Sequence, residues 1–179
     1  MNPETVLKKA DCLYTNEQVQ SALREMAQSI TRDMADSNPL VLCVMSGALI
    51  PAGHLLTMLN FPLQLDYIHA TRYRGETKGG TLHWLKKPEF SLRNRTVLLI
   101  DDIYDEGVTL SELIKFCESQ EADRVYTAVL VNKLHDRKCK VNIDYIGLET
   151  DDRYLFGYGM DYNDYLRNAP GIYAIPDEE

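Results

Sequence analysis

The 179-residue chain carries 27 acidic against 19 basic residues, a net charge of −8, and is 45% hydrophobic. That length and hydrophobic share suit one domain with a sizeable core, while the acidic balance, with no dense Lys/Arg cluster, argues against a DNA or RNA partner. Cys12, Cys43, Cys117 and Cys139 form no Cys-x-x-Cys pair, so neither a structural zinc site nor a disulfide framework is expected, and reduced thiols in a cytoplasmic protein are the plain reading.

Residues 1–10 lack the apolar core of a signal peptide. Thr15-Asn16-Glu17-Gln18 reads as a capping box, and Val19, Ala22, Leu23, Met26, Ile30 and Met34 follow at helical spacing, predicting a packing helix. Residues 40–45 read as a buried strand, Ser46-Gly47 as a tight turn, 51–59 as a short helix and 63–73 as a strand. The longest apolar region, 40–59, is broken by Ser46, Gly47, Pro51, Gly53 and His54, so no membrane span is expected. Strand, helix and strand in succession imply parallel pairing through right-handed crossovers. Between Tyr73 and Thr96 lies a stretch rich in Gly, Lys, Arg and Glu, including Arg74-Gly75-Glu76-Thr77-Lys78-Gly79-Gly80. A long loop is expected there, and a loop of that length is functional or a mere flexible hairpin. Residues 96–100 form a further buried strand, and 109–119 a helix with Leu110, Leu113, Ile114 and Cys117 on one side; strands at 125–131, 145–148 and 172–175 complete the pattern. The fold class is α/β, with a central, mainly parallel sheet flanked by helices.

The richest stretch is Val97-Leu98-Leu99-Ile100-Asp101-Asp102-Ile103-Tyr104-Asp105-Glu106-Gly107-Val108-Thr109-Leu110, where a buried strand runs into acids and then a Gly-x-Thr turn opening a helix. Residues 101–109 are expected to form a loop at the carboxyl edge of the sheet, where α/β folds bind ligands. Gly107 lets the chain curl, and the helix-start N–H groups with the Thr109 hydroxyl make an anion site suited to phosphate. Carboxylates would repel that phosphate unless Asp101 and Asp102 point elsewhere, toward a sugar diol or a magnesium ion. A ribose 5-phosphate satisfies both halves; an acidic surface turn after a core strand is the plainer alternative.

This segment resembles the phosphoribosyl diphosphate (PRPP) motif of type I phosphoribosyltransferases, in which an aliphatic strand, two acids and a small Gly-containing loop ending in Thr bind ribose phosphate. The resemblance implies PRPP contacts from Asp101, Asp102, Glu106, Gly107, Val108 and Thr109, with Asp105 marking the 6-oxopurine branch. Glu106 and Val108 depart from the Thr and Lys frequent in relatives. Met45, Ser46 and Gly47 align with the family's diphosphate loop, although many relatives carry a base where Ser46 stands; His69, Arg72 and Arg167 are candidate replacements for its charge. By spacing alone that turn reads equally as a simple connection. The stretch 73–95 aligns with a mobile lid that excludes water from an electron-poor ribosyl carbon, with Arg72, Tyr73 and Arg74 at its start.

Lys133 after a strand, and Tyr154-Leu155-Phe156-Gly157-Tyr158-Gly159-Met160-Asp161-Tyr162 with Arg167 downstream, look like the base-binding region of hypoxanthine-guanine phosphoribosyltransferases. There the resemblance implies that Tyr154 stacks on the purine, Lys133 donates to O6, Leu155 offers backbone contacts, Asp161 lies near magnesium and Arg167 touches diphosphate. Taken singly, Tyr154 also reads as core and Lys133 as a solvated strand-end charge. A Lys donor matches the oxo group of a 6-oxopurine and faces the amino group of adenine badly. Asp105 is then implied as the general base that takes the N7 proton as N9 attacks C1. Magnesium held by Asp101, Asp102 and Asp161 is the implied cofactor, PRPP and a 6-oxopurine base the small-molecule partners, and a homodimer or homotetramer the implied assembly.

The resemblance implies one unit: a core of about 35–150, a small hood from about 1–14 and 151–179, and the lid. Phosphoribosyl transfer to hypoxanthine or guanine is the expected reaction. A xanthine- or adenine-preferring enzyme, or a catalytically silent PRPP or nucleotide sensor on the same fold, remain as alternatives. The chain has no GxxxxGK[ST], no complete dinucleotide-binding glycine pattern, no HExxH and no GxSxG, which removes nucleotide hydrolases and dehydrogenases.

Overall fold

The computed structural model describes residues 2–72 and 82–176, with the side chains of Arg72 and Leu82 excepted. Its centre is a six-stranded sheet in the order β4-β3-β2-β5-β6-β7. The middle strands, β2 (Leu40–Met45) and β5 (Thr96–Tyr104), are almost wholly buried aliphatic runs, as expected for strands covered on both faces. β2 pairs in parallel with β3 (Gln64–Arg72) and β5, β5 with β6 (Arg124–Leu134), and β6 with β7 (Tyr145–Asp151).

α2 (Asn16–Met34) starts at the Thr15 capping box, in which Thr15 Oγ1 accepts from the Gln18 N–H and the Gln18 side chain accepts from the Thr15 N–H. Its buried face is Val19, Ala22, Leu23, Met26, Ala27, Ile30 and Met34, and it packs on β7 and on the strands at both chain ends. α3 (Leu49–Leu56) begins two residues before the expected 51 and stops short of 59. Pro51 therefore sits in the first turn rather than at its start, a position where the missing N–H costs no intrahelical bond. α4 (Val108–Ser119) buries Leu110, Leu113 and Cys117.

Two further expectations are corrected. β5 does not stop at Ile100: pairing continues through Asp101↔Val129, Ile103↔Val131 and Tyr104↔Asn132, so the two acids ride on a strand and not on a loop. The 73–95 stretch is not loop throughout, because β4 (Leu82–Lys86) returns antiparallel along β3 and the Leu92 side chain is buried. Alternating His83, Trp84 and Leu85 hid that edge strand behind its Gly- and Lys-rich approach. At the start of the chain, α1 (Pro3–Lys9), capped by Asn2, leads into β1 (Asp11–Thr15).

β1 joins the C-terminal β9 (Gly171–Ala174), and β9 joins β8 (Leu155–Phe156), in a second antiparallel sheet of three strands. Both ends of the chain thus meet above the carboxyl edge of the main sheet. Among the described residues no helix is long and apolar enough to cross a membrane.

Candidate active site

At the carboxyl ends of β2 and β5 lies a cavity of about 490 Å³. Its floor is made by Asp101 and Asp102 on β5, one wall by Met45 at the end of β2 with Ser46 and Gly47 after it, and another by Asp105 to Thr109 leading into α4; Arg167 closes it from the chain end. His69 and Thr71 on β3 line it as well. The Met45–Ser46 peptide is cis.

Two glycines shape this wall for different reasons. Gly107 caps α4 in the left-handed region at φ 76°, where a Cβ would meet the Tyr104 ring at 2.4 Å. Tyr104 is itself fixed, donating its hydroxyl to the Cys139 carbonyl at 2.8 Å. Gly47 is needed for close approach: a Cβ there would lie 2.0 Å from Asp102 Oδ2. The first-turn N–H groups of α4 have no intrahelical carbonyl to bond and carry the positive end of the helix dipole, which suits a phosphate.

A smaller cleft of about 200 Å³ adjoins the first and shares Asp102, Ile103 and Asp105 with it. Lys133 from β6, Tyr154, Leu155, Met160 and Asp161 complete its lining. Tyr154 is half exposed, with its ring edge-on to Tyr162, while Lys133 is only 8% exposed. Neither the core reading of Tyr154 nor the solvated reading of Lys133 describes them. Arg72 ends β3 as a backbone partner of Leu82; Tyr73 and Arg74 lie outside the described residues.

Burial pushes the Asp101 carboxyl well above its ordinary range, and the charge of Asp102 adds to the rise. Asp102 is raised by burial too, against the downward pull of Asp101 and Arg167. Two buried carboxylates short of positive charge on a cavity floor fit a hard, oxygen-seeking divalent cation. Asp161 is more engaged: Oδ1 pairs with Arg167 Nη2 at 2.8 Å and Oδ2 accepts from the Asp164 N–H at 2.9 Å.

Asp105 is held on both oxygens. Lys133 Nζ lies 2.9 Å from Oδ2, and His135 Nε2 lies 2.7 Å from Oδ1. Burial pushes this carboxyl up, but the bonds from Lys133 and His135 together outweigh it and leave it below its usual range. Lys133 also reaches Asp152 Oδ1 at 3.2 Å, and Asp152 in turn pairs with Arg137. Asp105, His135 and Asp152 bring potential metal-ligating atoms within 4.8 Å of one another. The Lys133 ammonium already bridges the two acids, so the cluster is a hydrogen-bonded network with its charge countered.

His135 and Asp152 escaped the sequence reading. A signal was present for His135, which follows Lys133 by two residues at the end of a strand and so projects to the same side. Asp152 offered none, because its role depends on β7 lying beside β6.

Fold and site together define an α/β protein with an acid-floored cavity beside a phosphate-suited turn, adjoined by a smaller cleft lined by Lys133 and Tyr154. Residues 9–163 match the family model described as phosphoribosyl transferase domain. The chain is 34% identical over 161 residues to the hypoxanthine-guanine-xanthine phosphoribosyltransferase of Tritrichomonas foetus, covering 89% of this chain and 88% of that protein. It is 30% identical over 161 residues to the hypoxanthine-guanine phosphoribosyltransferase of Bacillus subtilis, covering 89% of each. A solved hypoxanthine phosphoribosyltransferase from Staphylococcus aureus superposes with a TM-score of 0.90 at 25% identity, covering 98% of this chain and 96% of that one. The chain belongs to the phosphoribosyl transferase family.

Proposed function

We propose that the protein transfers the 5-phosphoribosyl group of PRPP to N9 of hypoxanthine or guanine, releasing diphosphate, in purine salvage. The carrying observation is that the two cavities share Asp102, Ile103 and Asp105, so a ribosyl carbon in one faces a base in the other. The 5′-phosphate takes the Glu106 to Thr109 turn and the start of α4, the ribose diol the Asp101–Asp102 side, and the diphosphate the Met45 to Gly47 turn and Arg167. Tyr154 stacks on the purine, a contact worth about 1–3 kcal/mol per base in nucleic-acid systems, and Leu155 offers its backbone to the base edge.

Lys133 donates to O6 and Asp105 accepts from N7, adjacent positions on one edge of a purine. As the N9 lone pair forms the bond to C1, the C1–O bond to diphosphate breaks and the N7 proton passes to Asp105. Asp101 and Asp102, with Asp161 nearby, would hold a magnesium ion, which when bound would supply charge neutralisation to the leaving diphosphate. Residues 73–95, with Arg72, Tyr73 and Arg74, act as the water-excluding lid in this reading.

The whole chain works as one unit in this proposal, its core (35–150) holding PRPP and its end-built hood (1–14 and 151–179) completing the base cleft. It works in the cytoplasm, consistent with four cysteines that are all free, and as a homo-oligomer. Exposed Leu49, Leu65, Tyr67 and Phe90 gather around an apolar groove of about 430 Å³ between α3 and β3, a face suited to a second copy.

The test is nucleotide formation with magnesium and PRPP, offering hypoxanthine, guanine, xanthine and adenine separately. Product from hypoxanthine and guanine and not from adenine is expected. The name of the Tritrichomonas foetus relative includes xanthine, so the xanthine reaction measures the second reading directly. PRPP binding with no product from any base would make the protein a sensor instead.

A further inference from the structure

We propose that His135 is a positioning residue that holds Asp105 in place independently of Lys133; this rests on the phosphoribosyl transfer reading above. His135 follows directly on β6, and its side chain is only 6% exposed. Both ring nitrogens are committed. Nδ1 faces the Arg137 backbone N–H at 3.2 Å, and Nε2 faces Asp105 Oδ1 at 2.7 Å. A backbone N–H can only donate, so Nδ1 is the bare nitrogen and the ring proton sits on Nε2, pointing at Asp105. The ring in that tautomer is neutral, and the bond is N–H to carboxylate.

The two holds on Asp105 differ in what becomes of them. Lys133 divides itself between Asp105 and Asp152 and is the donor that the purine O6 recruits, so its grip on Oδ2 is one the substrate competes for. His135 is braced from behind by the main chain and has no role toward the base. It keeps Oδ1 fixed while Lys133 turns to O6, so that Oδ2 is presented to N7. Neutrality matters here: an uncharged donor orients the carboxylate without the full positive charge that would oppose its taking up a proton. No other histidine among the described residues touches Asp105.

The experiment compares His135→Gln with His135→Asn. The Gln amide nitrogen reaches the position of Nε2, whereas the Asn amide stops near Nδ1 and cannot bridge to Asp105, though the two differ by one methylene. We expect H135Q to keep kcat for hypoxanthine within about 3-fold of the parent, and H135N to lose about 10²-fold, the scale on which a misplacement of about 1 Å acts. KM for PRPP should move in neither. Equal kcat in the two variants, whether both intact or both crippled, overturns the proposal, as does a rise in the KM for PRPP that accounts for the loss. Imidazole ¹⁵N NMR supplies a readout free of turnover: the parent should show the neutral Nε2–H tautomer, and a charged or Nδ1–H ring overturns the proposal. If no base yields product while the tautomer is as stated, the functional reading has failed and the His135–Asp105 geometry has not.

Discussion

In its proposed role as general base, Asp105 combines two opposed requirements in one carboxylate. It must stay ionised to accept a proton, which its bonds to Lys133 and His135 favour, yet it must be basic enough to take one. Asp105→Asn removes the acceptor while keeping the shape, and turnover should fall about 10²- to 10⁴-fold with PRPP binding retained; unchanged turnover would exclude the general-base role. Lys133→Met removes the largest of the interactions lowering the Asp105 carboxyl, so its pKa rises. Because the ionised form is the active one, the acid limb of the kcat/KM profile should move to higher pH, accompanied by weaker discrimination against adenine. A limb that stays put would separate Lys133 from Asp105. Gly107→Ala forces a side chain into the left-handed region against Tyr104, which should cost about 1–2 kcal/mol by its backbone term alone, read by denaturant unfolding. Gly47→Ala would push into Asp102, and its expected signature is loss of PRPP binding by calorimetry.

At the scale of elements, the extension of β5 by pairing with β6 gives the site its rigidity. The acids are carried on a hydrogen-bonded strand, and the turn after it is braced by Tyr104 and by the Cys139 N–H donating to the Glu106 carbonyl at 2.8 Å. The aliphatic run from Val97 to Ile100 ends where polar residues begin, so an acid that belongs to a strand looks like a loop. The edge strand β4 was hidden similarly. Its connection onward is pinned by Asp66 on β3, which accepts from the Tyr67 N–H at 2.8 Å and from Glu89 and Phe90 N–H at 2.6 and 3.3 Å. Burial raises this carboxyl, but the backbone donors win and hold it below the usual range. A carboxyl lowered in the folded state stabilises above its unfolded pKa and loses that contribution as pH falls through its folded pKa. Asp66→Asn should therefore destabilise by about 1–3 kcal/mol near neutral pH, and the difference from the parent should shrink below about pH 4. A pH-independent difference in chemical denaturation would refute the charge's share.

At the scale of the molecule, the proposed homo-oligomer would use the apolar groove of Leu49, Leu65, Tyr67 and Phe90 as its contact surface. Leu65→Asp should shift sedimentation toward the monomer, while an unchanged distribution would move the interface elsewhere. The amino-acid sequence by itself determined the buried parallel strands, the capped α2, the Gly107 turn into α4 and the residue types of a phosphosugar site, because each is written in a continuous stretch with its own periodicity or capping chemistry. Tertiary structure alone decided what separated segments do together. β1 meets β9 across nearly the whole chain, and His135 reaches back 30 residues to Asp105. Lys133 is placed between Asp105 and Asp152 only because β5, β6 and β7 lie side by side. Local preference fixes a residue's own backbone, whereas its partner across a sheet is set by strand order and register, which no single stretch of sequence contains.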